Sequence, residues 1–247
     1  MNKIKVAVVS YLNTRPLVKG FETGVMDQMM ELSEAYPSSL ASMLIRDEVD
    51  LALIPVAIIP EVPNAEIVSD FCIATDGEVA SVCLFSDCPI NEIEEILLDY
   101  QSRSSVALTR ILLKEHWKIS PLLTHAKPGF EENVTGKKGA LIIGDRALEK
   151  RSSYRYVYDL GTAWKEMTGL PFVFAVWVAN KKLPTDFISL FNQTIQSGFS
   201  ELESVIQKFE NPHYSIRTYY TQNIQYRLTD DMRNVMDLFL GKMNEIK

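Results

Sequence analysis

Ser10, Tyr11, Asn13, Thr14 and Arg15 follow directly on the apolar run Ile4 to Val9 and stand just ahead of Pro16. Together they bring hydroxyls, an amide and one fixed positive charge to a single loop. That set suits an anionic, oxygen-rich small molecule. The apolar run reads as a short buried strand. Pro16 fits the first position of a helix, where the amide hydrogen it lacks has no intrahelical partner. The loop therefore leaves the C-terminal end of a strand, which is where open α/β sheets bind ligands. A polar turn with a surface arginine accounts for the same residues.

Three further loops carry comparable chemistry. Asp76-Gly77-Glu78-Val79-Ala80-Ser81 precedes an apolar run. Ser102-Arg103-Ser104-Ser105 opens a helical pattern, and a helix start offers free amide hydrogens and a positive dipole end to a carboxylate or phosphate. The same serines serve equally as caps, and Arg103 is the reason to read the cluster as a binding site. Gly144-Asp145 follows the strand pattern Ala140 to Ile143, and Asp145 is placed either to bind a substrate hydroxyl or to cap its helix. No Gly-x-Ser-x-Gly, His-Glu-x-x-His, phosphate loop or dinucleotide fingerprint occurs. His116, His125 and His213 fall outside all four loops. Chemistry in such a chain must draw on a reactive substrate, with the protein supplying position and polar contacts.

The elements that must hold these loops alternate. Strand patterns at Ile4–Val9, Met29–Leu32, Leu51–Pro55, Ile67–Phe71 and Val79–Phe85 are interleaved with helical stretches. The grammar repeats through Ile96–Asp99, Ala140–Ile143 and the fully apolar Pro171–Ala179. From Thr185 onward the pattern is helical, with one stripe through Phe187, Phe191, Ile195, Phe199, Leu202 and Ile206. A second stripe follows Thr229, a candidate N-cap. This alternation argues for α/β architecture with parallel sheets covered by helices. One topology fits the order: two lobes, with the chain crossing out near 79–86 and returning near 172–179. Lobe one would hold 1–85 and 176–247, lobe two 86–175, and a ligand would sit in the cleft between them.

Composition narrows the partners. With 25 basic against 32 acidic residues the net charge is −7, and no Lys/Arg block occurs, which argues against nucleic acid. A local anion site survives this, because salt screens the global field while an arginine and a helix terminus act at close range. The first residues run straight into a strand pattern without an apolar signal core, and no run is long enough to span a bilayer; a cytoplasmic protein without membrane contact is the expectation. Cys72, Cys83 and Cys88 are odd in number and lack ligand spacing, so buried inert thiols are expected rather than disulfides or a metal site.

Several blocks, taken together, carry a family resemblance. Ser10-Tyr-Leu-Asn-Thr-Arg-Pro-Leu17, Asp50-Leu-Ala-Leu-Ile-Pro55, Ser102-Arg-Ser-Ser-Val106, Ile143-Gly-Asp-x-Ala-Leu148 and the run from Asp159-Leu-Gly161 through Trp164 and Thr168-Gly-Leu-Pro-Phe172 to Trp177 resemble the chorismate dehydratases of the futalosine route to menaquinone. The resemblance covers Lys3 to Trp177 closely and the helical tail loosely. It implies a two-lobed, type II periplasmic-binding-protein-like fold and removal of water from chorismate to give 3-[(1-carboxyvinyl)oxy]benzoate, with no metal and no cofactor. It places Asn13 and Ser81 at the reacting edge. The physical reading adds Ser104, Ser105 and helix-start amides as a receptor for one substrate carboxylate. Ser10 joins them in the binding loop, and Arg15 is a second carboxylate anchor on grounds of charge alone. The base is either the substrate's enolpyruvyl carboxylate or Asp145. Two alternatives stand beside this: the related dihydroxynaphthoate-forming enzyme of the pathway, and an anion-binding protein of the same fold without catalysis. Subunit number is not written in these residues.

Overall fold

The computed structural model describes residues 3–209 and 211–246. In chain order the elements are β1 (Ile4–Val9), α1 (Arg15–Val18), β2 (Met30–Ala35), α2 (Pro37–Ile45), β3 (Leu51–Pro55), β4 (Glu66–Thr75) and β5 (Val82–Ser86). There follow β6 (Glu95–Leu98), α3 (Arg103–Leu112), β7 (Leu122–His125), β8 (Lys138–Ile143), α4 (Asp145–Lys150), β9 (Tyr156–Asp159), α5 (Leu160–Thr168) and β10 (Phe172–Ala179). The tail holds α6 (Thr185–Phe199), α7 (Leu202–Lys208), α8 (Ile216–Thr218), β11 (Gln225–Arg227) and α9 (Asp230–Glu245).

Apolar runs without polar alternation become interior strands, because both faces of such a strand must be covered. β3 sits between β1 and β10, with Leu51, Ala52, Leu53 and Ile54 fully buried. Burial of each large side chain there contributes about 1.5–3 kcal/mol. β8 holds the same position between β6 and β5. The edge strand β2 instead keeps only Met30 buried, and its polar side chains face water.

The strands form two sheets, ordered β11-β4-β10-β3-β1-β2 and β7-β6-β8-β5-β9. Both are mixed rather than parallel. In the first, β1 runs parallel to β2 and β3, while β10 runs antiparallel to β3 and β4. In the second, β6 runs parallel to β7 and β8, while β5 runs antiparallel to β8 and β9. Of the reversed strands, β5 and β10 are the first ones after each passage between sheets, and β11 is reversed beside β4. The chain enters each lobe from the cleft side, where the other strands end, so it must run against them. The passages lie between Thr75 and Val82 and between Asp159 and Phe172, just ahead of the stretches expected to cross.

The tail is less helical than its pattern suggests. The apolar stripe breaks at Ser200 into α6 and α7, and β11 pairs antiparallel with β4 to extend the first sheet. Helix ends follow the sequence signals more closely. The Thr229 hydroxyl accepts from the Met232 amide at 3.3 Å, and Gly169, at φ 74°, closes α5 in the left-handed conformation. Cys72, Cys83 and Cys88 are buried free thiols. No helix of the described residues is long and apolar enough to cross a membrane.

Candidate functional site

The reversal of β5 and β10 brings their N-terminal ends to the same place as the C-terminal ends of β1, β3, β4 and β8. A cavity of about 70 Å³ lies there. Its apolar wall comes from Val9, Leu53, Ile73, Val82, Ile143 and Phe174, and its polar groups from Tyr11, Asn13, Ser81, Ser102 and Ser105. This is room for a few waters. No carboxylate, imidazole, ammonium or guanidinium side chain of the described residues lines it.

Three of the residues singled out in the sequence, Asn13, Ser81 and Ser105, therefore meet from three separate loops. Asn13 follows β1 in a short 3-10 turn, and its Oδ1 is buried without a hydrogen-bond partner. An orphaned buried acceptor costs about 1–3 kcal/mol, which a ligand donor would recover. Ser81 sits between a turn and β5. Its Oγ accepts a 2.7 Å bond from the Tyr219 hydroxyl, and its carbonyl accepts from the Gly144 amide at 2.8 Å. The preceding Ala80 adopts φ 63°, an uncommon conformation for a residue with a Cβ. It is held by the buried Asp159, whose carboxylate accepts from the amides of Val79 (3.0 Å), Ala80 (2.8 Å) and Thr162 (3.0 Å). One side chain thus caps α5 and fixes the turn that presents Ser81.

At the start of α3 the Ser102 hydroxyl accepts from the Ser105 amide at 3.2 Å and donates to Ser105 Oγ at 2.9 Å. The Ser105 hydroxyl hydrogen is left for the cavity, beside the positive end of the helix. Ser104 has a different task. It is buried and its Oγ accepts from the Ala57 amide at 3.0 Å, tying α3 to the first lobe. Arg103, the residue that marked this cluster in the sequence, points away to Glu61 at 2.8 Å and is exposed.

Arg15 also lies outside the cavity. It pairs with Glu34 at 2.7 Å and stacks over the Phe209 ring at 5.4 Å, both partners being too distant in sequence to foresee. Ser10 is exposed and does not line the cavity. Asp145 stands behind the wall at the first position of α4, with Gly144 as N-cap, and accepts from the Leu12 amide at 3.1 Å. Burial pushes its carboxyl upward, partly offset by that amide. Since Leu12 and Asp145 belong to different sheets' loops, the bond clasps the lobes together. A second clasp joins Tyr11 to Gln101, whose Oε1 also accepts from Arg146 at 2.9 Å.

Tyr219 is the site residue that sequence reasoning passed over, whereas Tyr11 and Ser102 stood within marked loops without a role of their own. Tyr219 lies in the tail, on a single π-helical turn, Tyr219–Asn223, away from every loop marked in the sequence. Among the described residues no group of three or more His, Cys, Asp or Glu side chains is placed to hold a metal ion.

Comparison with known proteins agrees with this architecture. A family model described as menaquinone biosynthesis matches residues 4–245. The chorismate dehydratase of Thermus thermophilus is 28% identical over 222 residues, covering 81% of each chain. Protein AF1704 of Archaeoglobus fulgidus superposes with a TM-score of 0.72 at 14% identity, covering 99% of this chain and 96% of that one. The periplasmic aliphatic sulphonate binding protein of Escherichia coli superposes with a TM-score of 0.65 at 13% identity, covering 99% and 92%. The Candida albicans CA3427 product, described as having the generic periplasmic binding protein fold, gives 0.65 at 12% identity over 100% and 94%. The two-lobed α/β architecture is the periplasmic-binding-protein-like fold.

Proposed function

The chain belongs to the menaquinone biosynthesis family, and from that premise we propose that it is a chorismate dehydratase, a carbon–oxygen lyase acting on a small dicarboxylate. The observation that carries the reading is the pairing of an orphaned acceptor, Asn13 Oδ1, with the Ser81 hydroxyl in a cavity lined by no charged side chain. Such a site offers a hydroxyl-bearing substrate one acceptor and one donor for the same oxygen, with no strong protein acid or base beside it.

Chorismate needs little more. Loss of its ring hydroxyl and of the hydrogen on the neighbouring ether-bearing carbon makes the ring aromatic. That hydrogen is acidified through the diene by the ring carboxylate. Its electron pair becomes the third ring double bond as the carbon–oxygen bond breaks, and the oxygen leaves as water. Asn13 Oδ1 accepts from the leaving hydroxyl and orients it, while the Ser81 hydroxyl donates to its oxygen, a preorganised contact that strengthens as charge develops there. The Ser105 hydroxyl and the amides opening α3 receive one carboxylate. Asp145 is engaged with Leu12 outside the lining, so the proton is assigned to the substrate's own enolpyruvyl carboxylate, which delivers it to the departing oxygen. On this reading the catalytic lobes divide the chain where it passes between sheets, and their opening admits the substrate.

Purified wild-type protein, Asn13→Ala and Ser81→Ala are to be mixed with chorismate and followed by the ultraviolet absorbance of an aromatic product. Wild type should convert it, with Ser81→Ala slower by at least about 100-fold, as for loss of one preorganised donor, and Asn13→Ala slower by at least about tenfold through loss of the acceptor that orients the hydroxyl. A stable complex with unchanged chorismate would identify an anion-binding protein. Full activity in both variants would remove these residues from the site.

A further inference from the structure

We propose that Tyr219 is the positioning residue that sets Ser81, an inference that rests on the dehydratase reading for its catalytic meaning. The phenol is fully buried and its hydroxyl donates to Ser81 Oγ at 2.7 Å. Ser81 has a single hydroxyl hydrogen and here acts as acceptor, so that hydrogen is directed elsewhere, and the cavity is on its other side.

The phenol thus leaves the Ser81 hydrogen free to donate into the cavity, to the oxygen of a leaving hydroxyl. Burial raises the phenol's ionisation far above the ordinary range, which keeps it a donor at any physiological pH. The ring is held independently of its oxygen. It packs against Tyr214 at 6.4 Å and Tyr220 at 5.7 Å between centroids, and the π-turn ends in Asn223, whose amide donates to the Glu78 carbonyl at 3.1 Å. Tyr219→Phe therefore removes the orienting oxygen and leaves the packing in place.

The test is a double-mutant cycle with chorismate. Tyr219→Phe should lower kcat by about 10–100-fold with KM within about threefold, because it disturbs a contact that tightens only as the hydroxyl leaves. In the Ser81→Ala background the same substitution should cost less than about threefold, since the group it orients is gone. An unchanged kcat, or an equal loss in both backgrounds, would overturn the proposal. A second readout needs no turnover: the hydroxyl proton of the buried Tyr219 in the proton NMR spectrum, identified by its loss in Tyr219→Phe. A signal that shifts in Ser81→Ala, which removes its acceptor, supports the assignment, and an unmoved signal refutes it. A wild-type protein that leaves chorismate intact would refute the dehydratase reading alone, and the phenolic signal would still decide the role of Tyr219.

Discussion

Replacing Asp159 with alanine should loosen Ser81 without touching it. The carboxylate accepts three backbone amides, one at the start of α5 and two in the Val79–Ala80 turn. Loss of the helix cap costs about 1 kcal/mol. The two turn amides lose their buried acceptor at about 1–3 kcal/mol each. Against this stands relief of a desolvated carboxylate, whose ionisation burial has pushed upward. A net loss of about 2–4 kcal/mol remains, a large share of the 5–15 kcal/mol typical of a folded protein. The turn then keeps the Ser81 amide on the Val79 carbonyl (2.8 Å) and Arg151 on the Ala80 carbonyl (3.0 Å) but loses both amide anchors, and its relaxation from φ 63° carries Ser81 away from Tyr219. Urea unfolding reads the stability. Initial rates with chorismate, corrected for the folded fraction, should fall at least about tenfold further, the scale on which a misplaced group loses turnover. A variant within about 0.5 kcal/mol of wild type and equally active would refute the role given to this carboxylate.

Two further substitutions probe the cleft. Gly144 has φ 67°, and a Cβ added there would lie 3.2 Å from Tyr11 Cζ, so Gly144→Ala should lose about 1–3 kcal/mol in urea unfolding and weaken chorismate binding by displacing the Tyr11 clasp. Normal stability and affinity would contradict that. Asp145→Asn keeps an acceptor for Leu12 but removes a carboxyl raised by burial from its ordinary 3.8. A raised carboxyl contributes stability fully present below pH 3.8 and lost as pH climbs through the folded value. The melting temperature of wild type relative to Asp145→Asn should therefore decline from pH 4 upward and level off above that value, and a pH-independent difference would count against the buried state of this group.

The fold was legible where burial leaves no choice. Leu51–Ile54, Ala140–Ile143 and Val176–Ala179 are apolar without alternation, and each became a strand covered on both faces. Strand direction was not legible, because apolar periodicity is the same read forward or backward, so β5 and β10 passed for members of parallel sheets. At the site, Asn13, Ser81 and Ser105 were within reach of sequence reasoning because each follows or opens a strong element. Arg15 and Arg103 misled for a shared reason. A guanidinium looks available until its partner is known, and Glu34 and Glu61 lie 19 and 42 residues away. Tyr219 was hidden because a buried phenol with a functional bond has the same pattern as one that only packs.

The most direct trial of the whole account is the fate of deuterium placed on the ether-bearing ring carbon of chorismate. Incubated with wild-type protein, the substrate should yield an aromatic product one water lighter, with its enolpyruvyl ether intact and the label gone. Recovery of labelled chorismate, or a product that keeps deuterium on the ring, would show that this cavity does not perform the elimination.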